Sequence, residues 1–276
     1  MEEIFREINK ALEAGESLAL ATVVKVHGSA PRKEGAKLLV KADGSTLGTI
    51  GGGALEVAII QAAQEALVKG EPRLIHYGLK ADKHPSDYGV CGGELEVFVD
   101  VITPSPTLLL IGAGHISLYL ARLAKEIGFH IAVLDDREEF ASQERFPFAK
   151  IVRAGDIGSL LEETKITPQT YVVIATRSHE QDALALEKVI GSPAAYIGLL
   201  GSRRKVSLIF KALQEKGIDK ALLERVCAPI GLDIGAETPE EIAVSILAEM
   251  VLHKRGGTGR PLSSLRGIAS GKREEH

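Results

Sequence analysis

The sequence predicts an α/β protein, a C-terminal Rossmann-type parallel-sheet domain preceded by a smaller α+β domain. Three observations carry that prediction. After residue 107, short β-branched strands alternate with amphipathic helices, the pattern of a parallel sheet covered on both faces. A glycine loop, Gly112-Ala113-Gly114, sits at the first strand-to-helix turn of that region. Before residue 103, strands and helices do not alternate regularly, and an Asp43-Gly44 turn marks a hairpin, as in an α+β domain. The 276 residues are enough for about two domains at roughly 150 residues each.

The elements follow in chain order. Ile4, Ile8, Ala11 and Leu12 recur at helical spacing, so a first helix is expected there. A strand over SLALATVVKV leads to the loop His27-Gly28-Ser29-Ala30-Pro31-Arg32, and KLLVKADGSTLGTI reads as two strands about the turn. A helix from about Ala54 carries Leu55, Ile59, Ala63 and Leu67 on one face, and strands follow near RLIHY and ELEVFVDVI. Two prolines in Thr103-Pro104-Ser105-Pro106-Thr107 disfavour helix and remove ladder donors, marking a linker. The domains are therefore 1–103 and 107–252, with a basic flexible tail at 253–276. In the second domain, strands are expected at LLLIG, HIAVLD, KIVRAG, YVVIAT and AAYIGLL. The first helix there shows Ile116, Leu120, Leu123, Ala124 and Ile127 on one face. Thr238-Pro239-Glu240-Glu241 is a capping box opening the last helix.

Composition excludes several classes of function. Net charge is −4, and seven Phe, five Tyr and no Trp leave little to stack on bases, so no nucleic-acid partner is expected. No apolar run has the length of a bilayer span and the start is acidic and amphipathic, so neither membrane nor signal peptide is expected. Cys91 and Cys227 cannot form a disulfide framework or a four-thiolate metal site, which fits a reducing, cytoplasmic setting.

Candidate site residues cluster in loops. Gly112 suits the tight turn and Gly114 the approach of a diphosphate at a helix N-terminus, with His115 next to them. Asp135, at the end of the following strand, is placed to accept ribose hydroxyls, and with Asp136 it disfavours a 2′-phosphate. NAD or another adenine nucleotide is thus the expected occupant of that cleft. Gly51, Gly52 and Gly53 leave backbone N–H groups open to an anion at a second helix start, where Glu56 complements the dipole. Cys91 and Gly92 form a flexible segment with a thiol. Arg177, His179 and Asp182 lie in the loop after YVVIA, at the carboxyl end of a strand. The three-residue spacing of His179 and Asp182 suits a proton relay or, with His115, one side of a metal site, though no metal site is assigned. Arg203 and Arg204 follow a Gly-Ser turn that could hold phosphate, and Asp233 lies in a loop dense in special geometry.

Together these strings resemble the XdhC/CoxI family, accessory proteins of xanthine dehydrogenase and related molybdenum hydroxylases. The resemblance runs in order through GSAPRKEGAKLLV, GTIGGGALE, CGGELEVFV, IGAGHI, VLDDR, ATRSHEQD, YIGLLGSRRK and PIGLDIGAETPEEIAVSILAEM. It implies a chaperone, not an enzyme, that binds molybdenum cofactor (molybdopterin) and guards it during sulfuration. Delivery to an apo molybdenum hydroxylase follows, with a cysteine desulfurase and a homodimer as further associations left open. The family's glycine loop falls on Gly51 to Gly53 and its Cys-Gly-Gly on Cys91 to Gly93, while Ala54 stands where Cys or His often follows the triple glycine. The cofactor's phosphate is expected between that loop and the Rossmann cleft, with Arg32, Arg203 or Arg204 balancing its charge. The competing readings are an NAD-dependent oxidoreductase using His179 and Asp182, and a nucleotide-sensing regulatory module.

Overall fold

Six parallel strands in the order 3-2-1-4-5-6 are the arrangement that places a switch point between the first and fourth strands of a Rossmann sheet. The computed structural model describes residues 1–78 and 93–264, and it shows this order after residue 105. Cys91 and Gly92 lie outside the described residues. The chain divides into two compact units, Met1–Pro104 and Ser105–His276.

The first unit comprises α1 (Glu2–Ala14), β1 (Leu18–His27), β2 (Lys37–Lys41), β3 (Thr46–Gly48), α2 (Gly53–Lys69), β4 (Arg73–Gly78) and β5 (Glu94–Ile102). Its sheet is antiparallel throughout, in the order β3-β2-β1-β5-β4. Period-two alternation explains how one sheet serves two helices. Ala19, Ala21 and Val23 of β1 join Leu38 and Val40 in a core with Leu55, Ile59 and Ala63 of α2. Leu18 and Leu39 point the other way, onto Ile4, Ile8 and Ala11 of α1.

The second unit comprises β6 (Thr107–Ile111), α3 (His115–Glu126), β7 (His130–Asp135), β8 (Ile151–Ala154), α4 (Ile157–Glu162), β9 (Thr170–Ile174) and α5 (His179–Val189). Then come β10 (Tyr196–Leu199), α6 (Arg203–Glu215), α7 (Lys220–Glu224), β11 (Val226–Cys227) and α8 (Pro239–Arg255), with a 3₁₀ turn at Leu262–Ser264. The sheet order is β11-β10-β9-β6-β7-β8. Leu109 and Ile111 of β6 face the core under α4, α5 and α6, and Leu108 and Leu110 face the core under α3 and α8. Burial on both faces is why these strands read as continuous apolar runs.

Two expectations need correction. Leu123 and Ile127 are exposed, and α3 instead buries Ser117, Leu120, Ala121 and Ala124, a stripe shifted toward small residues that let the helix approach the sheet. The last helix runs past residue 252, so His253, Lys254 and Arg255 belong to α8 and not to a flexible tail. His253 is held there by Nε2 against the Ala195 carbonyl at 2.9 Å and by edge contacts with Tyr171 and Tyr196. The capping box at Thr238 and Glu241 forms as expected.

Candidate functional site

The triple-glycine loop between β3 and α2 has φ of 139° at Gly51, 78° at Gly52 and 63° at Gly53, so all three lie where an L side chain is strained. At Gly51 a Cβ would also stand 2.4 Å from Pro31 Cγ, which fixes the loop against the segment carrying Arg32. Arg32 itself is exposed. The sequence suggests open amides here, but those of Ile50, Gly51 and Gly52 are taken. Glu56 Oε1 accepts from the N–H of Ile50 at 3.0 Å, Gly51 at 3.3 Å and Gly52 at 3.0 Å, and from the Thr49 hydroxyl. Burial pushes the Glu56 carboxyl up, but these hydrogen bonds outweigh it and hold the group below the usual carboxylate range. A side chain four residues along thus fills the cradle expected for a ligand's phosphate.

The glycine loop of the second unit shows the same chemistry from a different source. Gly112 has φ of 106°, and a Cβ there would lie 2.2 Å from the Ala175 carbonyl oxygen in the loop after β9. Only glycine allows that approach. Gly114 has ordinary φ and open space where a Cβ would be, and it caps α3 without a side-chain hydrogen bond. His115, the first residue of α3, is exposed.

Asp135 is not presented to a ligand's ribose. It is 2% exposed, and Oδ2 accepts from the Ala113 N–H at 2.6 Å. Oδ1 accepts from the Arg137 N–H and Nε, both at 2.9 Å, and an Arg137 terminal nitrogen reaches Oδ2 at 3.0 Å. Burial opposes the charge on Asp135, yet the Arg137 guanidinium and the two N–H donors hold its carboxyl below the ordinary range. Asp136, the next residue, is engaged by Arg177 at 2.6 Å and by Gln181 Nε2 at 2.8 Å.

The expected relay of His179 and Asp182 does not form. Asp182 is fully buried, and its Oδ1 accepts from the Thr176 N–H at 3.0 Å and hydroxyl at 2.6 Å, while its Oδ2 pairs with Lys205 of α6. His179 is 66% exposed and sits 3.0 Å from Glu180. The helix explains the split: α5 buries Asp182, Ala185, Leu186 and Val189, and one turn earlier that stripe runs off the sheet into solvent. Ser178 caps α5 by accepting from the Gln181 N–H. Among the described residues no cluster of three or more His, Cys, Asp or Glu is arranged to hold a metal ion.

Other candidates separate. Arg177, Ser178, His179, Ser202, Arg204, Lys205 and Leu208 line a cleft of about 490 Å³ at the starts of α5 and α6. In it, Arg177 is shared with Asp136 and Lys205 with Asp182, while Arg204 has no ion-pair partner among the described residues. Arg203 faces a different cavity of about 540 Å³, with Phe210, Lys211 and Pro229. Asp233 is exposed in the loop after β11 and lines neither space. The sequence reading missed Arg137, although an arginine two residues past a strand-ending aspartate was a visible signal for an internal ion pair. It also missed Thr176 and Gln181, whose partners are set by strand order.

The comparisons with known proteins agree with this architecture. Residues 108–250 match the XdhC Rossmann domain and residues 11–78 match the XdhC and CoxI family. Uncharacterized protein YqeB of Escherichia coli K12 is 42% identical over 257 residues, 93% of this chain and 47% of YqeB, so the chain spans about half that relative's length. A probable xanthine dehydrogenase subunit of Bacillus subtilis 168 is 26% identical, covering 88% of this chain and 95% of the relative. Molybdenum cofactor insertion chaperone PaoD of Escherichia coli K12 is 24% identical over 95% of this chain and 92% of PaoD. A crystal structure of a Bacillus halodurans protein described as a xanthine dehydrogenase shares the fold, with a TM-score of 0.51 and 22% identity over 94% of this chain and 97% of that one. With family matches on both units and more than half of the chain within the Rossmann match alone, this protein belongs to the XdhC/CoxI family.

Proposed function

We propose that this chain is an accessory protein that binds molybdenum cofactor and assists its sulfuration and insertion into a xanthine dehydrogenase-type molybdenum hydroxylase. The observation that carries the reading is the alignment with PaoD, a molybdenum cofactor insertion chaperone, over nearly the whole of both chains. The cargo is a pterin with a dithiolene and a phosphate, so a carrier needs cation and N–H donors for the phosphate. The α5/α6 cleft fits that need through Arg204, which no carboxylate among the described residues neutralises, and Arg177, which can be shared between Asp136 and an anion. Gly112, Gly114 and His115 offer a second approach at the start of α3, where no side chain caps the helix. In the first unit the amides of Gly51 and Gly52 are already held by Glu56, which favours the Rossmann unit for the phosphate. A cysteine desulfurase is the partner that would supply sulfur, the apo-hydroxylase is the recipient, and a cytoplasmic homodimer is the working form.

The test is native mass spectrometry and pterin fluorescence on protein freshly purified from a cofactor-replete host. Bound pterin is the expected result, with Arg204→Ala and Arg177→Ala each reducing its retention by about tenfold, as for loss of a charge-assisted contact. Protein that carries no pterin and takes none up on titration overturns the reading.

A further inference from the structure

The Rossmann order brings three strand ends side by side: β7 and β9 flank β6, whose end carries the glycine loop. A dinucleotide in such a sheet lays its pyrophosphate over that loop and its adenosine ribose on the carboxylate ending the second strand. The ribose position is taken by the chain itself, and in the glycine loop the Ala113 amide is already held by Asp135. Asp135, at the ribose position, is 2% exposed and chelated by Arg137 through backbone N–H, Nε and a terminal nitrogen. Arg137 is in turn fixed by stacking, its guanidinium carbon lying 3.7 Å from the centre of the Phe140 ring. Asp136, one residue on, reaches across to Arg177 and Gln181 beyond β9, so a polar strap runs between the two strand ends that flank the glycine loop.

From this arrangement we infer that Arg137 is a specificity determinant that keeps adenine dinucleotides out of the Rossmann crevice. A ribose can reach Asp135 only by displacing a bidentate guanidinium from a buried carboxylate. It would replace hydrogen bonds between two charged groups with hydroxyl-to-carboxylate bonds in which only the acceptor is charged, and leave the guanidinium without its partner. The fold's ribose position is therefore kept, but it is filled by an internal cation, and the unit is left to ligands that do not need a ribose carboxylate. The inference concerns nucleotides alone and stands or falls separately from pterin binding.

Isothermal titration of the full chain with NAD and with ADP-ribose tests it. The wild type is expected to show no saturable binding of either at low millimolar concentration. Arg137→Ala, which uncovers Asp135, is expected to gain at least about tenfold in affinity for ADP-ribose. A second change, Asp135→Asn on that background, should remove the gain, which a merely structural role for Arg137 would not require. Arg137→Gln, which loses the charge but keeps a hydrogen-bonding group, gives the same comparison if the alanine variant fails to fold. Micromolar binding of NAD by the wild type overturns the inference. So does a folded Arg137 variant that takes ADP-ribose no better than the wild type.

Discussion

Gly51–Gly53 and Gly112–Gly114 both lead into helices, and in both a carboxylate of the chain accepts from loop amides. The source of the carboxylate differs. Glu56 lies in the first turn of α2, so its contact with Gly52 is local and forms with the helix. Asp135 lies one strand away and meets Ala113 only when β6 and β7 pair with Ile111 beside Leu134. A local carboxylate stiffens a loop, whereas a distant one ties the loop to the sheet. The second loop should therefore share the stability of its domain, and the first should loosen by itself.

Five changes would break or sharpen that contrast. The largest effect is expected from Asp135→Ala, which leaves the Arg137 guanidinium only the more distant Asp136, at 3.8 Å, and takes the acceptor from the Ala113 amide. Losing one partner of a buried ion pair costs about 3–5 kcal/mol, and denaturant unfolding followed by hydrogen exchange should show it across the whole Rossmann sheet. Loss confined to residues near 113 would contradict the tie to the sheet. Next is Gly112→Ala, whose Cβ would lie 2.2 Å from a backbone oxygen at φ of 106°. About 3 kcal/mol is expected, against about 1 kcal/mol for Gly52→Ala, where only φ is strained.

Glu56→Gln removes the charge from the first loop's anchor and should cost about 1–3 kcal/mol, visible as faster exchange at residues 49–53 with the rest of the unit unchanged. Its pH dependence has a defined sign. The folded Glu56 carboxyl titrates below its ordinary 4.5, so its contribution is complete above that pH and is lost as the pH falls through the lower folded value. Wild-type protection of this loop should fall in that acid window, and the Gln variant should lack that component. The smallest effect, within about 0.5 kcal/mol by thermal melting, is expected for Gly114→Ala, which meets open space at ordinary φ.

Much of the fold was legible because it rests on local rules. Strand–helix alternation after residue 107 indicated the parallel sheet, and Thr238, Pro239 and Glu241 indicated the start of α8, since capping depends on residues three apart. The stripe of α3 was less legible. Leu123 and Ile127 fit the helical period but lie beyond what the sheet covers, and only packing reveals that edge. His179 and Asp182 show the same limit in the site. Their spacing is that of one helix face, but the helix enters the sheet's cover between them, so one is solvated and the other is fully buried.

The sequence by itself determined where the glycine turns fall, which helices are capped and where the chain changes from antiparallel to parallel architecture. Those features depend on backbone strain, capping and periodicity within a few residues. Only the tertiary structure decided which charges meet. Asp136 with Arg177, Asp182 with Lys205 and Asp135 with the Ala113 amide join residues on, or just after, different strands and helices, and strand order sets those distances. Spacing along the chain marked Asp135 as a ligand for ribose. The sheet, together with Arg137 two residues on, made it a ligand for the protein itself.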